Sequence, residues 1–142
     1  MSNTIIRGTG LTGEVAEGEA IVSDKAFGFA HGIDPYTGEI TDTLHEWGGQ
    51  NAKGKVLVFP YGKGSSTGGS FVLESIKMGN APAAVINIET DPVVATGFII
   101  GALLYDKPIP VVHRLEQNPI EAIKNGDRVK VDAINGTVEI FK

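Results

Sequence analysis

Three short apolar runs dominate the middle of the chain. Val56-Leu57-Val58-Phe59 is unbroken, Ala83-Ala84-Val85-Ile86-Asn87-Ile88 is interrupted once, and Pro110-Val111-Val112-His113 is the shortest. Runs of this length without alternation predict strands covered on both faces, as in a parallel sheet. Between the first two, Val72, Leu73 and Ile76 recur at helical spacing, which predicts a helix from Ser70 to Met78. Gly79 ends it and Pro82 forbids its continuation. Between the second and third, Asp91-Pro92 is a helix start, with Asp91 as N-cap and Pro92 at the first helical position. The helix that follows, Val93 to Tyr105, is apolar nearly all round, with Thr96 its only polar interior residue. Such a helix is covered on both sides, either at the centre of the domain or with one face against another subunit. The order strand, helix, strand, helix, strand calls for parallel pairing with right-handed crossovers.

The ends of the chain follow a different pattern. Thr4 to Arg7 and Glu19 to Val22 read as short strands, with Gly8, Gly10, Gly13 and Gly18 punctuating the chain around them. Residues 33–40 carry Asp34-Pro35 and Gly38, and form either a plain hairpin or a loop that reaches across a site. After a short helix at Pro119 to Lys124, stopped by Asn125-Gly126, residues 128–132 and 137–141 alternate apolar and polar. Asn135-Gly136 marks the turn between them. This half-exposed antiparallel pair is expected to join the N-terminal strands in a second sheet. The prediction is an α/β chain forming one domain over residues 1–142. It has three layers, with a central parallel sheet, helices on one side and a second antiparallel sheet on the other (β/β/α).

Composition narrows the function. The chain has 142 residues, enough for a sizeable core, and its formal charge of −5 offers no basic stripe for nucleic acid. Glycine, 19 of 142, is about twice its average usage and implies many tight turns and close backbone approaches. There is no cysteine, which excludes disulfides, a cysteine nucleophile and any thiolate-ligated metal site built by this chain alone. The N-terminus lacks the basic start and apolar stretch of a secretion signal, and the longest apolar segment falls short of the ~20 residues that span a bilayer. No membrane association is expected, and a cytoplasmic location is.

The candidate chemistry sits at Tyr61-Gly62-Lys63-Gly64-Ser65-Ser66-Thr67-Gly68, between a buried strand and a helix start. Glycines there let the backbone approach another group, and the hydroxyls stand where a helix leaves its first N–H groups unpaired. Two readings fit: a capped turn, or a site for a serine or an anion at the positive end of a helix. The Gly-x-Ser-x-Gly elbow and the P-loop spacing are both absent. His31, His45 and His113 are not spaced as a local metal motif and are expected to be structural or solvated. Asn87 and Glu89 fall at the carboxyl end of the second strand, the edge where open parallel sheets bind ligands, although turn and cap roles fit them equally. Arg114 follows the third strand in the same way.

The turn resembles the Gly-x-Gly-Ser-Ser turn in the swivelling domain of aconitases and isopropylmalate isomerases, where the first serine of the pair is the base. Those relatives follow the pair with a substrate-binding arginine; Thr67 stands there instead, which argues against citrate-like and isopropylmalate-like substrates. A fuller resemblance covers nearly the whole chain. Residues 32–42 (Gly-Ile-Asp-Pro-Tyr-Thr-Gly-Glu-Ile-Thr-Asp), 54–68, 81–87 and 109–112 are similar to the small subunit of the aconitase X family. The resemblance implies a swivelling β/β/α domain and a large catalytic subunit, in a heterodimer or higher assembly, that holds an iron–sulfur cluster on its own cysteines. No metal site belongs to this chain alone. It implies a hydro-lyase acting on a small molecule: (R)-5-phosphomevalonate loses water to give trans-anhydromevalonate 5-phosphate, in the archaeal mevalonate route to isoprenoid precursors. The cluster's open iron would act as Lewis acid on the leaving hydroxyl. Ser65 is then the proton acceptor, with Lys63, Gly64, Ser66, Thr67 and Gly68 supporting the reacting anion or substrate, and Asn87 and Glu89 flanking. The rival within the family is cis-3-hydroxy-L-proline dehydratase. A phosphohistidine carrier domain would need a histidine where Ser65 to Thr67 stand, and a non-catalytic interaction module would use the apolar 93–104 helix with Ser65 as a mere cap.

Overall fold

Successive residues of a strand face opposite ways, and in the central strands of this chain both faces are buried. The computed structural model describes residues 3–63 and 67–141. In β4 (Val56–Phe59), Leu57 and Phe59 point to a core shared with α1 (Gly68–Lys77) and α2 (Pro92–Tyr105), which contribute Val72, Ile76, Val94 and Phe98. Val85 of β5 (Ala84–Asn87) and Val111 of β6 (Val111–His113) join them. Val56, Val58, Ala84, Ile86 and Val112 point the other way. They meet Val129 and Val131 of β7 (Arg128–Asp132), Val138 and Ile140 of β8 (Thr137–Phe141), and Ile6 of β1 (Thr4–Arg7). The layers are therefore helices, parallel sheet and second sheet, in the predicted order.

One strand belongs to both sheets. In β3 (Val15–Val22), Val15 to Glu19 pair antiparallel with β7, while Ala20 to Val22 pair parallel with β4. The strand order is β1-β8-β7-β3-β4-β5-β6-β2, so the second sheet is continuous with the first rather than detached. The pattern also missed β2 (Thr9–Thr12), which pairs antiparallel with β6 and covers the far edge of the parallel sheet. Its glycine reads as punctuation in the sequence, yet Gly10 is there for space: a Cβ would lie 1.7 Å from the carbonyl oxygen of Ala133.

The helix boundaries have local causes. At the end of α1, Gly79 at φ 76° donates to Ile76 O and Asn80 donates to Ser75 O, the paired bonds of a Schellman cap. Asp91 caps α2 by accepting from Val93 N–H at 2.9 Å, ahead of Pro92. A short α3 (Pro119–Ala122) is capped by Asn118 in the same way. One side of α2 is buried through Val94, Ala95, Gly97, Phe98 and Gly101. The other leaves Leu103 80% and Leu104 65% exposed, so of the two coverings expected for this helix the domain itself provides only one. Among the described residues no helix is long and apolar enough to cross a membrane.

Candidate functional site

Pro60 cannot extend the β4 ladder, yet the chain beyond it is held almost as a strand. Phe27 forms a parallel bridge with Gly62: its N–H donates to Tyr61 O at 3.1 Å, and its C=O accepts from Lys63 N–H at 3.1 Å. Phe27 is fully buried, with ring centroids of Phe29, His45, Trp47 and Phe59 between 5.2 and 5.7 Å away. Gly28 allows the approach, because a Cβ there would sit 2.6 Å from Lys63 O. The loop between β3 and β4 thus fixes the backbone leading into the Gly-rich turn. Residues 33–40, read as a hairpin or a loop over a site, are a small part of this loop: Ile33 and Ile40 share a single bridge and are both buried in the helix-side core.

Of the turn itself, Gly64, Ser65 and Ser66 lie outside the described residues. Lys63 is exposed on one side of them. On the other, Thr67 occupies the N-cap position of α1 at φ −73° without a side-chain capping hydrogen bond, and Gly68 is buried in the first turn.

The neighbouring strand ends are tied together by polar side chains. Asn87, 1% exposed, donates from Nδ2 to Phe59 O at 2.9 Å and accepts at Oδ1 from Thr90 Oγ1 at 2.9 Å. It locks the end of β5 to the end of β4. Thr90 N–H in turn donates to Nδ1 of His113 at 3.0 Å, and burial holds the His113 imidazole below its ordinary pKa, in the neutral form that can accept. Glu89 turns to Arg114, whose Nε and a terminal nitrogen donate to its two carboxylate oxygens, each at 2.8 Å. This pairing holds the Glu89 carboxyl below its usual range and raises the guanidinium. Arg114 lines its own cavity with Ile88, Leu115 and Glu116, apart from Lys63. Closer to the turn is Asp91, since a Cβ on Gly62 would come within 3.0 Å of it.

Sequence reasoning overlooked what the loop brings to Lys63. A cavity of ≈ 380 Å³ is lined by His31, Thr41, Asp42, Thr43, Leu44 and Lys63, among others. Lys63 Nζ stands 3.9 Å from Asp42 Oδ2. The large apolar residues Phe27, Phe29, Ile33, Ile40 and Trp47, spread through an otherwise polar and Gly-rich stretch, were the available signal that this loop is packed rather than free. His45 is structural, as expected: it is 6% exposed, and its Nδ1 accepts from Trp47 N–H at 3.1 Å. Among the described residues, its Nε2 and the Trp47 Nε1 find no acceptor and are buried among aromatic faces. For a metal cluster the donor set does not fit. The chain has no cysteine, and among the described residues no three His, Asp or Glu side chains gather.

A family model described as the aconitase X swivel domain matches residues 5–140. The phosphomevalonate dehydratase small subunit of Methanocella arvoryzae is 47% identical, covering 95% of this chain and 98% of its own. That of Methanococcoides burtonii is 46% identical, covering 97% and 92%. The crystal structure of Thermococcus kodakaraensis aconitase X in its holo-form superposes with a TM-score of 0.88 at 40% identity, over 98% of this chain and 99% of that one.

Proposed function

Because this chain belongs to the aconitase X swivel-domain family, we propose that it is the small subunit of a hydro-lyase that dehydrates (R)-5-phosphomevalonate to trans-anhydromevalonate 5-phosphate. The observation that carries the reading is similarity to chains of that function along nearly their whole length. The order of the elements supports it. Lys63 and Thr67 bracket the serine pair at the carboxyl end of a buried parallel strand, the edge at which such sheets act on ligands.

In the proposed reaction Ser65 removes a proton from the carbon beside the carbinol carbon. The electron pair of that C–H bond forms the double bond, and the hydroxyl leaves as water once protonated. Lys63, with Gly64, Ser66, Thr67 and Gly68, steadies negative charge developing on the substrate, where the first turn of α1 adds its dipole. Asn87 and Glu89 support from behind: Asn87 fixes the end of β4 from which the turn departs, and Glu89 orders the adjacent strand end through Arg114. With no cysteine, and no gathering of His, Asp or Glu among the described residues, the chain leaves any iron–sulfur cluster to the larger subunit. One swivelling domain over residues 1–142 meets that subunit in the cytoplasm, and the exposed Ile99, Leu103 and Leu104 of α2 form the surface we assign to the contact.

The test is Ser65→Ala in the assembled two-subunit enzyme. Turnover of phosphomevalonate is expected to vanish while the complex stays intact; loss of a mere cap would cost about 1 kcal/mol of stability and leave turnover. An active Ser65→Ala complex overturns the serine's role. A wild-type complex that dehydrates cis-3-hydroxy-L-proline instead overturns the substrate.

A further inference from the structure

We propose that His113 is a positioning residue for the reaction: it holds the loop between β5 and α2 in the shape that grips the chain entering the Gly-rich turn. The proposal rests on the dehydratase reading above. Most of that grip is backbone. Pro60 O accepts from Ile88 N–H at 3.1 Å and from Glu89 N–H at 3.3 Å, and Phe59 O accepts from Asn87 Nδ2 at 2.9 Å. Two residues on, Gly62 packs against Asp91, since a Cβ there would stand 3.0 Å from the Asp91 Cβ. Residues 59, 60 and 62 are thus shaped from the β5 side by residues 87–91, while Phe27 holds Tyr61 O and Lys63 N–H from the β3 side.

The loop leans on the imidazole. Thr90 N–H donates to His113 Nδ1 at 3.0 Å. A backbone N–H only donates, so that nitrogen is bare and the neutral ring carries its proton on Nε2. His113 and Thr90 are each 5% exposed, so losing this acceptor leaves a buried N–H unpaired. From Thr90 the constraint runs two ways. Its Oγ1 donates to Asn87 Oδ1 at 2.9 Å, and the next residue, Asp91, both caps α2 and meets Gly62. The histidine is itself fixed. It ends β6, and the chain turns after it through Arg114 at φ 54°, whose N–H bonds Ile88 O and whose guanidinium holds Glu89.

The same geometry makes the joint sensitive to acid. A protonated ring carries a hydrogen on Nδ1 and sets it against Thr90 N–H, donor against donor. Two charged groups act on the ring: Glu89 of the loop favours the imidazolium, and Arg114, next to it in the chain, opposes it. β2, which pairs beside it through Thr9, brings no charged side chain, and neither do β5 and α2. Burial outweighs the carboxylate and keeps the ring neutral at neutral pH. In acid the loop loses its acceptor, and the chain from Phe59 to Gly62 loses its mould.

The experiment compares His113→Leu and His113→Asn in the assembled enzyme and follows backbone amides by NMR in the full chain. Leucine fills the space without an acceptor; asparagine offers Oδ1 in place of Nδ1 and does not titrate. Near neutral pH, kcat is expected to fall about tenfold to 100-fold in His113→Leu, with KM changed less than about threefold, and to stay within about threefold of wild type in His113→Asn. As pH drops below about 6.5, wild-type kcat/KM should fall relative to that of His113→Asn. In the full chain the Gly62 and Lys63 amide signals should move with the His113 ring titration, and stay still over that range in His113→Asn. A His113→Leu enzyme that turns over like wild type overturns the proposal. So does a His113→Asn enzyme that loses as much as His113→Leu, which would reduce the ring to packing, and so do parallel pH profiles of wild type and His113→Asn. If the Gly62 signal follows His113 yet the assembled wild type does not dehydrate phosphomevalonate, the positioning role stands and the dehydratase reading alone fails.

Discussion

Replacing Gly28 by alanine tests whether the β3–β4 loop sets the position of the Gly-rich turn to which catalysis is assigned above. The new Cβ would stand 2.6 Å from Lys63 O, where ordinary contact begins at 3.4 Å, so one of the two segments must move by about 0.8 Å. Neither moves freely. Lys63 N–H is bonded to Phe27 O, and Phe27 is locked among four aromatic rings. Overpacking of this kind costs about 1–3 kcal/mol, which for a domain of this size lowers the melting temperature by about 3–10 °C. The functional effect should be larger than the stability loss alone explains, because a misplacement near 1 Å can reduce turnover by about 100-fold. Gly54→Ala is the control. At φ 74° with nothing within 4 Å, it pays about 1–2 kcal/mol for its backbone alone, at the opposite end of β4. Melting curves and steady-state kinetics of both assembled variants settle the matter. The two should be destabilised alike, with kcat/KM falling at least about tenfold only in Gly28→Ala. Equal kcat/KM in the two variants would refute the idea that this loop positions the turn.

Two further outcomes are expected. Burial lowers the folded-state pKa of His113, so the unfolded chain binds the extra proton first as pH drops below the ordinary imidazole value of about 6.5, and stability falls with it. Glu19, Glu89 and Asp132 are all held below their ordinary values and lose their contributions only in more acid solution, so the change in melting temperature between pH 7 and 5, absent or much smaller in His113→Asn, isolates the histidine. Leu103→Glu, at a position 80% exposed, should change the stability of the isolated chain by no more than about 0.5 kcal/mol and yet weaken capture of the larger subunit at least about tenfold; undiminished capture would remove α2 from the interface.

Much of the fold was legible because its strongest signals are local. Apolar runs, Asp91-Pro92 and Gly79 each fix an element or its end with little help from elsewhere, and the structure places those elements within one or two residues of the reading. What was missed depends on partners distant in sequence. Thr9 to Thr12 has no strand pattern of its own and becomes one only against β6, about 100 residues later. Likewise, nothing near Phe27 announces its bridge to Gly62, because the warrant for it is a cage of rings drawn from three separate segments. At the site, Lys63 and Thr67 fell where the Gly-rich run suggested. Asn87 ends β5 at the carboxyl edge of the sheet, where its two hydrogen bonds serve the joint between strands, and Glu89 is engaged by Arg114. His31 and Asp42 reach Lys63 only through the folding of the loop, so no spacing in the sequence could have united them.

The shared strand β3 and the pairing of Thr4 with Ile140 govern how the chain must be made on the ribosome. Everything that builds the helix-side core has been synthesised by Val111, so that half can collapse while the rest is still emerging. The opposite face of the same sheet, with Val56, Val58, Ala84, Ile86 and Val112, waits for Val129, Val131, Val138 and Ile140, which are translated later. Until they arrive, β1 has no neighbour and a wide apolar surface stands open. Nascent chains stalled before Arg128 should therefore engage chaperones far more than chains in which β7 and β8 have emerged.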